Sequence, residues 1–600
     1  MAPRVAHQVL AAASPATRAP AARDVEGLRH QARGLAEATP PRLRLGYAHA
    51  FVAAVVRSYW EQRRPRSRHA LRKAPAAPSR IALRREGLAL AQDLGEAAAA
   101  LDTEGASYLI GRTYAAMLPA DVRAANGVYY TPPAVVGRLL DAAEQAGVDW
   151  TSCRALDPAC GGGAFLAPLA RRMAVSLRGA DRRVAERNLA SRLVGYELDP
   201  FAAWLSAVFL DATLLEVLGW SPTDAFDPIQ IGDSLQRLAE PAQFDLVAGN
   251  PPYGRVKLPA ALRAAFKRGL YGHANLYGLF LELAVQKARP GGVIAYVTPT
   301  GFLCGEYFKN LRRLLLEEAR PQAFDFIAER DGVFDDVLQE TLLVTFKRSA
   351  ARDSAPVHFA AAEGSGGLKT VDGGAITLPR DGDGPWILPR SAEATPLVDR
   401  LRGMPARLAD WGYGVSTGPL VWNRYKDQLR ERPGAGHLPL IWAESVGPDG
   451  TFEFRAARRN HAPYFAVRAG DDFLTVRQAC VLLQRTTAKE QARRLLAAEL
   501  PQAFLDEHGG QVTVENHLNM VVPLVAAPAV TPRALAAFLN SAAADRVFRC
   551  ISGTVAVSAY ELEAMPLPAA WSLAPLDELL GAGASPETIE TYCSRLYGAP

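Results

Sequence analysis

The sequence predicts an α/β protein built on a mostly parallel sheet, with a helical N-terminal extension and an α+β C-terminal domain. Three observations carry this. Between residues 128 and 348, short apolar runs at 154–158, 192–196, 228–231, 244–248, 292–297, 323–328 and 341–347 alternate with helical patterns, as successive βαβ units do. Residues 1–127 carry helical periodicity and no strand alternation, as in "RLRLGYAHAFVAAVVRSYWEQRR". A Gly/Ser/Asp-rich passage, "AAEGSGGLKTVDGGAITLPRDGDGP", then precedes a region of aromatics, arginines and short strands. The expected boundaries are therefore a helical region at 1–127, an α/β domain at 128–350, a linker at 351–389 and a last domain at 390–600.

Composition narrows the function classes. A chain of 600 residues, 49% hydrophobic and 22% charged, is long enough for several buried cores. A formal charge of +5 permits a nucleic-acid partner without demanding one. Most positive charge is arginine, and the heavy Ala and Pro usage reads as the imprint of a GC-rich genome. The same holds for the opening "MAPRVAHQVLAAASPATRAP", taken as that imprint and not as a transit peptide. Six cysteines form no CxxC pair, so neither a zinc site nor a disulfide framework is indicated. No run approaches 18 uninterrupted apolar residues, and no membrane span is expected.

The α/β region holds the chemistry. "RALDPACGGGAFLAPLA" is a strand, a Gly-rich turn and a helix start, with Asp157 at the strand end and Gly161 and Gly163 allowing close backbone approach to a ligand. The next strand ends in "LVGYELDP", placing Glu197 where an acid accepts from a ribose diol. The third ends in "IQIGDSL", with Asp233 at the rim, able to accept from an adenine amine. Acids on successive strand ends point to an adenosine-containing ligand. The fourth strand, "FDLVAG", stops at "NPPYGR" because Pro251 and Pro252 lack the N–H that continues a strand. Asn250 to Tyr253 thus form a stiff loop at the sheet edge where open α/β sheets bind ligands.

These pieces together resemble a known family. "GVYYTPP" at 127–133, "LDPACGGGAFL" at 156–166, "GYELDP" at 195–200, "GDSL" at 232–235, "NPPYGR" at 250–255 and "GGVIAYVTPTGFLCGEYFKNLRRLL" at 291–315 occur in this order. The chain is similar to the class I S-adenosylmethionine-dependent methyltransferases. More narrowly, it resembles the gamma-class N6-adenine DNA methyltransferases, the TaqI-like and Eco57I-like modification methylases. The resemblance implies a Rossmann-like, mostly parallel sheet of seven strands. It implies S-adenosylmethionine as cofactor, held by Tyr130, Thr131, Pro132, Asp157, Ala159, Gly161, Gly163, Glu197, Asp233 and Asn250, with Tyr129 preceding them. It implies no metal.

It further implies methyl transfer to the exocyclic N6 amine of a flipped-out adenine in double-stranded DNA, by the modification component of a restriction-modification system. The catalytic residues are then Asn250, Pro251, Pro252, Tyr253 and Phe308. The Asn250 side chain and the Pro251 carbonyl accept the amine N–H groups, while Tyr253 and Phe308 sandwich the base. Helix-core packing is an equal reading of Phe308. The C-terminal domain is expected to read the target sequence, with Arg424, Lys426, Gln484, Arg485, Asn516 and Ser558 as candidate DNA contacts. A separately encoded restriction endonuclease is the expected partner, and the bacterial cytoplasm, at the nucleoid through DNA binding, the expected location. The alternatives are a bifunctional restriction-modification enzyme, or an NPPY-type methyltransferase acting on RNA or on protein glutamine. Against a nuclease stands the missing Pro-Asp…Glu-x-Lys pattern in residues 1–127, where Lys73 is the only lysine. If the last domain does not read DNA, the Arg cluster at 63–72 is the next candidate.

Overall fold

A computed structural model describes residues 24–63, 70–79, 81–126, 130–220, 226–238, 241–327, 340–349, 354–363, 367–379, 382, 384–487 and 491–598. The N-terminal start, Tyr129 and most of the Arg cluster at 63–72 lie outside the described residues. The chain divides into two compact units, 1–125 and 126–600.

The first unit is helical: Val25–Glu37, Pro41–Arg63, Arg85–Ala99 and Thr103–Met117 are its main helices. Asp24 and Asp102 cap two of them by accepting from Gly27 and Gly105 N–H, which satisfies backbone donors that the first turn leaves unpaired. Its core holds Phe51, Val52, Val55, Tyr59, Leu94 and Ile110.

The second unit begins with strands β1 (Ala155–Asp157), β2 (Leu193–Glu197), β3 (Ile229–Ile231) and β4 (Phe244–Gly249). A small hairpin follows, β5 (Arg255–Val256) and β6 (Ala274–Asn275), then β7 (Ala288–Pro299), β8 (Arg320–Ile327), β9 (Thr341–Lys347), β10 (Ser354–Glu363) and β11 (Gly367–Thr377). All but the hairpin join one sheet, in the order β11-β10-β8-β9-β7-β4-β1-β2-β3. Pairings from β3 to β7 are parallel, whereas β9 runs antiparallel to both β7 and β8.

The central strands are buried on both faces, and alternation sends neighbours to opposite cores. Val247, Ile294 and Tyr296 pack with helices Leu276–Lys287 and Lys309–Glu318. Leu246, Ala248, Val293, Ala295 and Val297 pack with helices Pro133–Gln145, Leu166–Val175 and Pro200–Leu218. The last of these is apolar enough to cross a membrane by length and composition (mean hydropathy 1.7), yet 83% of that apolar window is buried in this core.

The sheet has nine strands where seven were expected. The two extra ones fall within the expected linker, 351–389. Ala355, Val357 and Phe359 alternate onto the sheet core, and β10 pairs in parallel with β8, covering what would otherwise be an unpaired edge. Three of the seven glycines that suggested a linker, Gly367, Gly373 and Gly374, lie in β11, the exposed outer strand.

Beyond residue 390, Tyr413–Thr417, Leu518–Pro523, Cys480–Gln484 and Ala497–Leu500 form an antiparallel sheet, with a five-stranded mixed sheet beside it. Helices Pro532–Leu539, Ala542–Ile551, Ala574–Gly581 and Pro586–Leu596 close the chain. Trp411 anchors this core, its indole N–H donating to the Pro568 carbonyl at 3.0 Å.

Candidate active site

Strand order reverses between β1 and β4. From β1 the chain proceeds outward to β2 and β3, then returns to β4 on the other side, which leaves a crevice at the carboxyl ends of β1 and β4. Asp157, Glu197 and Asn250 all sit at that edge.

The Gly-rich turn is shaped by what a side chain would strike. Gly161 and Gly163 hold φ of +51° and +89°, the left-handed region that favours glycine. A Cβ on Gly162 would lie 2.6 Å from the Tyr130 ring, and one on Gly249 would lie 2.7 Å from Asp157 Oδ1. The turn is tied to the second strand, since Gly161 N–H donates to Glu197 Oε2 and Asp199 N–H to Oε1, each at 2.8 Å. Glu197 therefore already holds the loop, and each oxygen keeps a lone pair for a further donor. Burial raises its pKa, against the backbone N–H groups that lower it. Asp157 is buried too. Desolvation pushes it up to about 8, opposed by the Ala159 N–H on Oδ1 at 3.1 Å and reinforced by the charge of Glu197. Asp233 caps the 3₁₀ turn Ser234–Gln236, accepting from Leu235 N–H at 3.0 Å and from Gln236 Nε2 at 3.1 Å.

The residues present fit an adenosine-containing cofactor. Backbone amides and acids converge on the crevice, and the buried hydroxyl of Tyr130, which flanks the Gly-rich turn, lacks a hydrogen-bond partner among the described residues. Such an orphaned group is costly unless a ligand completes it. Thr131 and Pro132 are buried beside Tyr130 at the start of helix Pro133–Gln145.

The Asn-Pro-Pro-Tyr loop is tied to its neighbours by hydrogen bonds. Asn250 Nδ2 donates to Thr131 Oγ1 at 3.1 Å, and the Tyr253 hydroxyl donates to Asn250 Oδ1 at 2.6 Å and to the Val297 carbonyl of β7 at 3.3 Å. Pro251 is buried and Pro252 half-buried. The Tyr253 ring stands edge-on to Tyr277, with centroids 5.9 Å apart, and Tyr277 packs against Phe308 at 5.0 Å. Phe308 also rests over Gly278 and Gly305. Phe308 thus packs on a helix and borders the half-buried Tyr253 cluster at once.

Tyr277 was not foreseen from sequence. It is fully enclosed and joins the two aromatics, and its place in "NLYGLF" looks like ordinary helix-start packing. Arg312 was missed as well. It is completely buried and donates to the carbonyls of Phe302, Gly305 and Gly384 and to the Tyr560 hydroxyl, at 2.8–3.0 Å. It pins helix Gly301–Cys304, just ahead of Phe308, to the segments around 384 and 560.

The candidate DNA contacts divide. Gln484 donates to the Ala443 and Val446 carbonyls, and Ser558 caps helix Ala559–Glu563 in a reciprocal capping box with Glu561, so both serve the fold. Arg485 and Asn516 are brought together, with Arg485 Nη1 donating to the Asn516 carbonyl at 3.2 Å and Val557 N–H donating to the Arg485 carbonyl at 2.8 Å. Arg424 and Lys426 are exposed, the latter with its ammonium 5.4 Å from the centre of the Trp422 ring.

Comparison with known proteins agrees with this geometry. Residues 218–334 match the family model of the Eco57I restriction-modification methylase. The chain is 26% identical over 326 residues to the type II methyltransferase M.BsuBI of Bacillus subtilis, covering 53% of this chain and 64% of that one. It is 31% identical over 206 residues to the type II methyltransferase M.TthHB8I of Thermus thermophilus, covering 32% and 39%. M.PstI of Providencia stuartii is matched over 64% of its length, so the chain spans a little under two thirds of M.BsuBI and M.PstI and a smaller share of M.TthHB8I. Among solved structures, the type IIL restriction-modification enzyme MmeI, determined in complex with DNA, superposes with a TM-score of 0.57 over 96% of this chain and 97% of that one, at 11% identity. At that identity the likeness is one of fold. The segment that carries the Asn-Pro-Pro-Tyr loop lies within the match to the Eco57I restriction-modification methylase, on the mostly parallel sheet described above.

Proposed function

We propose that the protein is a site-specific DNA methyltransferase that modifies the exocyclic N6 amine of an adenine flipped out of double-stranded DNA. The observation that carries the reading is the Asn250 amide, oriented by Thr131 on one side and Tyr253 on the other, at the end of β4 beside the switch-point crevice.

An aromatic amine is a poor nucleophile because its lone pair is delocalised into the ring. Asn250 Oδ1 accepts one N–H and the Pro251 carbonyl the other, which draws the nitrogen toward tetrahedral geometry and frees the lone pair. Oriented acceptors of this kind are worth about 3 kcal/mol each in a preorganised site. S-adenosylmethionine, when bound, supplies an electrophilic methyl group on a sulfonium. Glu197 takes the ribose hydroxyls, Asp233 the adenine amine and Asp157 the amino-acid end, while Tyr130, Thr131 and Pro132 cover the ligand. Tyr253 and Phe308 hold the flipped base by stacking, about 1–3 kcal/mol per base.

Residues beyond 390 choose the site, because the strand ends of the catalytic sheet are already committed to cofactor and base. Arg424 and Lys426, both exposed, are the first candidates to meet DNA, and the Arg485–Asn516 corner is the next. The protein then works as the modification component of a restriction-modification system, with a separately encoded endonuclease as its counterpart.

The test is expression in a methylase-deficient bacterial host followed by single-molecule sequencing of the host DNA. Modified adenines in one recurring sequence are expected. Unmodified DNA, with label appearing instead in RNA or protein in a parallel methyl-transfer assay, overturns the reading.

A further inference from the structure

From residue 246 to residue 281 the chain contains no Asp or Glu, although acids elsewhere nearly balance the bases. This stretch begins in β4, includes the Asn-Pro-Pro-Tyr loop and runs through the β5–β6 hairpin into helix Leu276–Lys287. Arg255 and Lys257 are exposed on it, and neither has a carboxylate partner among the described residues. The hairpin is firmly built: Arg255 pairs with Asn275, Leu276 N–H donates to the Gly254 carbonyl at 2.9 Å, and Arg263 braces the Gly272 turn by donating to its carbonyl at 3.0 Å.

Across from it, the segment that carries Phe308 adds aromatics and a further cation. Lys309 places its ammonium 3.8 Å from the centre of the exposed Tyr271 ring. Arg255 lies 6.0 Å from the centre of the Tyr307 ring, and His273 meets the same ring edge-on at 5.1 Å. Cations parked on aromatic faces lose part of their side-chain freedom before any ligand arrives, and their charge still faces solvent. Chain connectivity sets this rim beside the base-holding residues, since Arg255 follows Tyr253 by two residues and Lys309 follows Phe308 directly.

We infer that Arg255, Lys257 and Lys309 hold the phosphate backbone of the DNA strand that carries the flipped nucleotide, an inference that rests on the DNA reading above. A flipped base must be flanked by phosphates, so a cationic rim at the mouth of the base pocket, acid-free over residues 246–281, meets that backbone whatever the surrounding sequence. Such contacts position the strand and carry no sequence information. Arg268 is excluded, because it is paired with Glu318.

The test compares wild type with the triple variant Arg255→Ala/Lys257→Ala/Lys309→Ala on two duplexes, one containing the modified site and one lacking it, across a salt series. Calorimetric titration with S-adenosylmethionine checks that the variant is folded. Each lost phosphate contact lowers the slope of log affinity against log salt by about 0.9. The slope is expected to fall by about 2 to 3, equally on both duplexes, with cofactor affinity retained. An unchanged slope in a variant that binds cofactor overturns this inference alone, and so does a loss confined to the duplex containing the site. A wild-type protein that binds cofactor and neither duplex overturns the DNA reading itself.

Discussion

The hydroxyl of Tyr253 donates to Oδ1 of Asn250 at 2.6 Å, so the Tyr253 ring and the Asn250 amide are one hydrogen-bonded unit. Because Asn250 Nδ2 also donates to Thr131, the amide has its orientation set from both ends. An amide oxygen has two lone pairs, and the one left by Tyr253 is free for an adenine amine. Removing either support leaves the acceptor present and loosens it. Tyr253→Phe and Thr131→Val should each slow methyl transfer about 2- to 10-fold, the worth of one neutral hydrogen bond. Single-turnover kinetics check this, and an unchanged rate in both variants means that the amide needs no such support.

The cofactor crevice gives a second expectation. Glu197 holds the Gly161 and Asp199 amides and, in the function proposed above, takes the ribose hydroxyls, so Glu197→Ala strands both amides and removes that acceptor. Affinity for S-adenosylmethionine should fall by about 1–3 kcal/mol. Titration calorimetry measures it directly, and unaltered affinity means that the crevice is misassigned.

Asp157 makes the stability of the cofactor-free protein depend on pH. Its folded pKa of about 8 lies above the ordinary 3.8. Below about pH 4 the carboxyl is protonated in both states. Between there and about pH 8 the unfolded chain ionises while the folded one keeps its proton, and stability falls by about 1.4 kcal/mol per pH unit. Above pH 8 the slope vanishes. Denaturant melts of wild type and Asp157→Asn across this range should differ in slope by that amount. Parallel curves would contradict the burial argument.

Arg312 ties the Phe308 segment to residues far along the chain. Truncation in Arg312→Ala leaves buried carbonyls of Phe302, Gly305 and Gly384 unpaired, a cost of about 3 kcal/mol or more. Thermal melting reads the loss. A change within experimental scatter would show that water reaches these carbonyls.

Much of this was legible from sequence because strand and loop chemistry are local. The apolar run Phe244–Ala248 and the two prolines after it fix where β4 ends, and the acids at 157 and 197 mark strand ends the structure places at the switch point. What stayed hidden depends on long-range contact. β10 and β11 gain their place by pairing with β8, which no local pattern announces. Tyr277 looks like any buried helix residue until Tyr253 and Phe308 are seen on either side of it. Arg312 sits in a run of arginines and leucines, and its partners lie up to 248 residues away. Gln484 and Ser558 look like surface contacts in sequence, but fold-internal carbonyls and a helix cap claim them.

The central claim is that the Asn250 acceptor activates an adenine amine. The direct measurement gives wild type and Asn250→Ala unmodified genomic DNA with methyl-labelled S-adenosylmethionine, then digests the DNA to nucleosides and separates them. Wild type should place the label in N6-methyldeoxyadenosine alone, and Asn250→Ala should lower that rate at least about a hundredfold while still binding cofactor and DNA. Label in another nucleoside, or a variant that turns over at the wild-type rate, would contradict it.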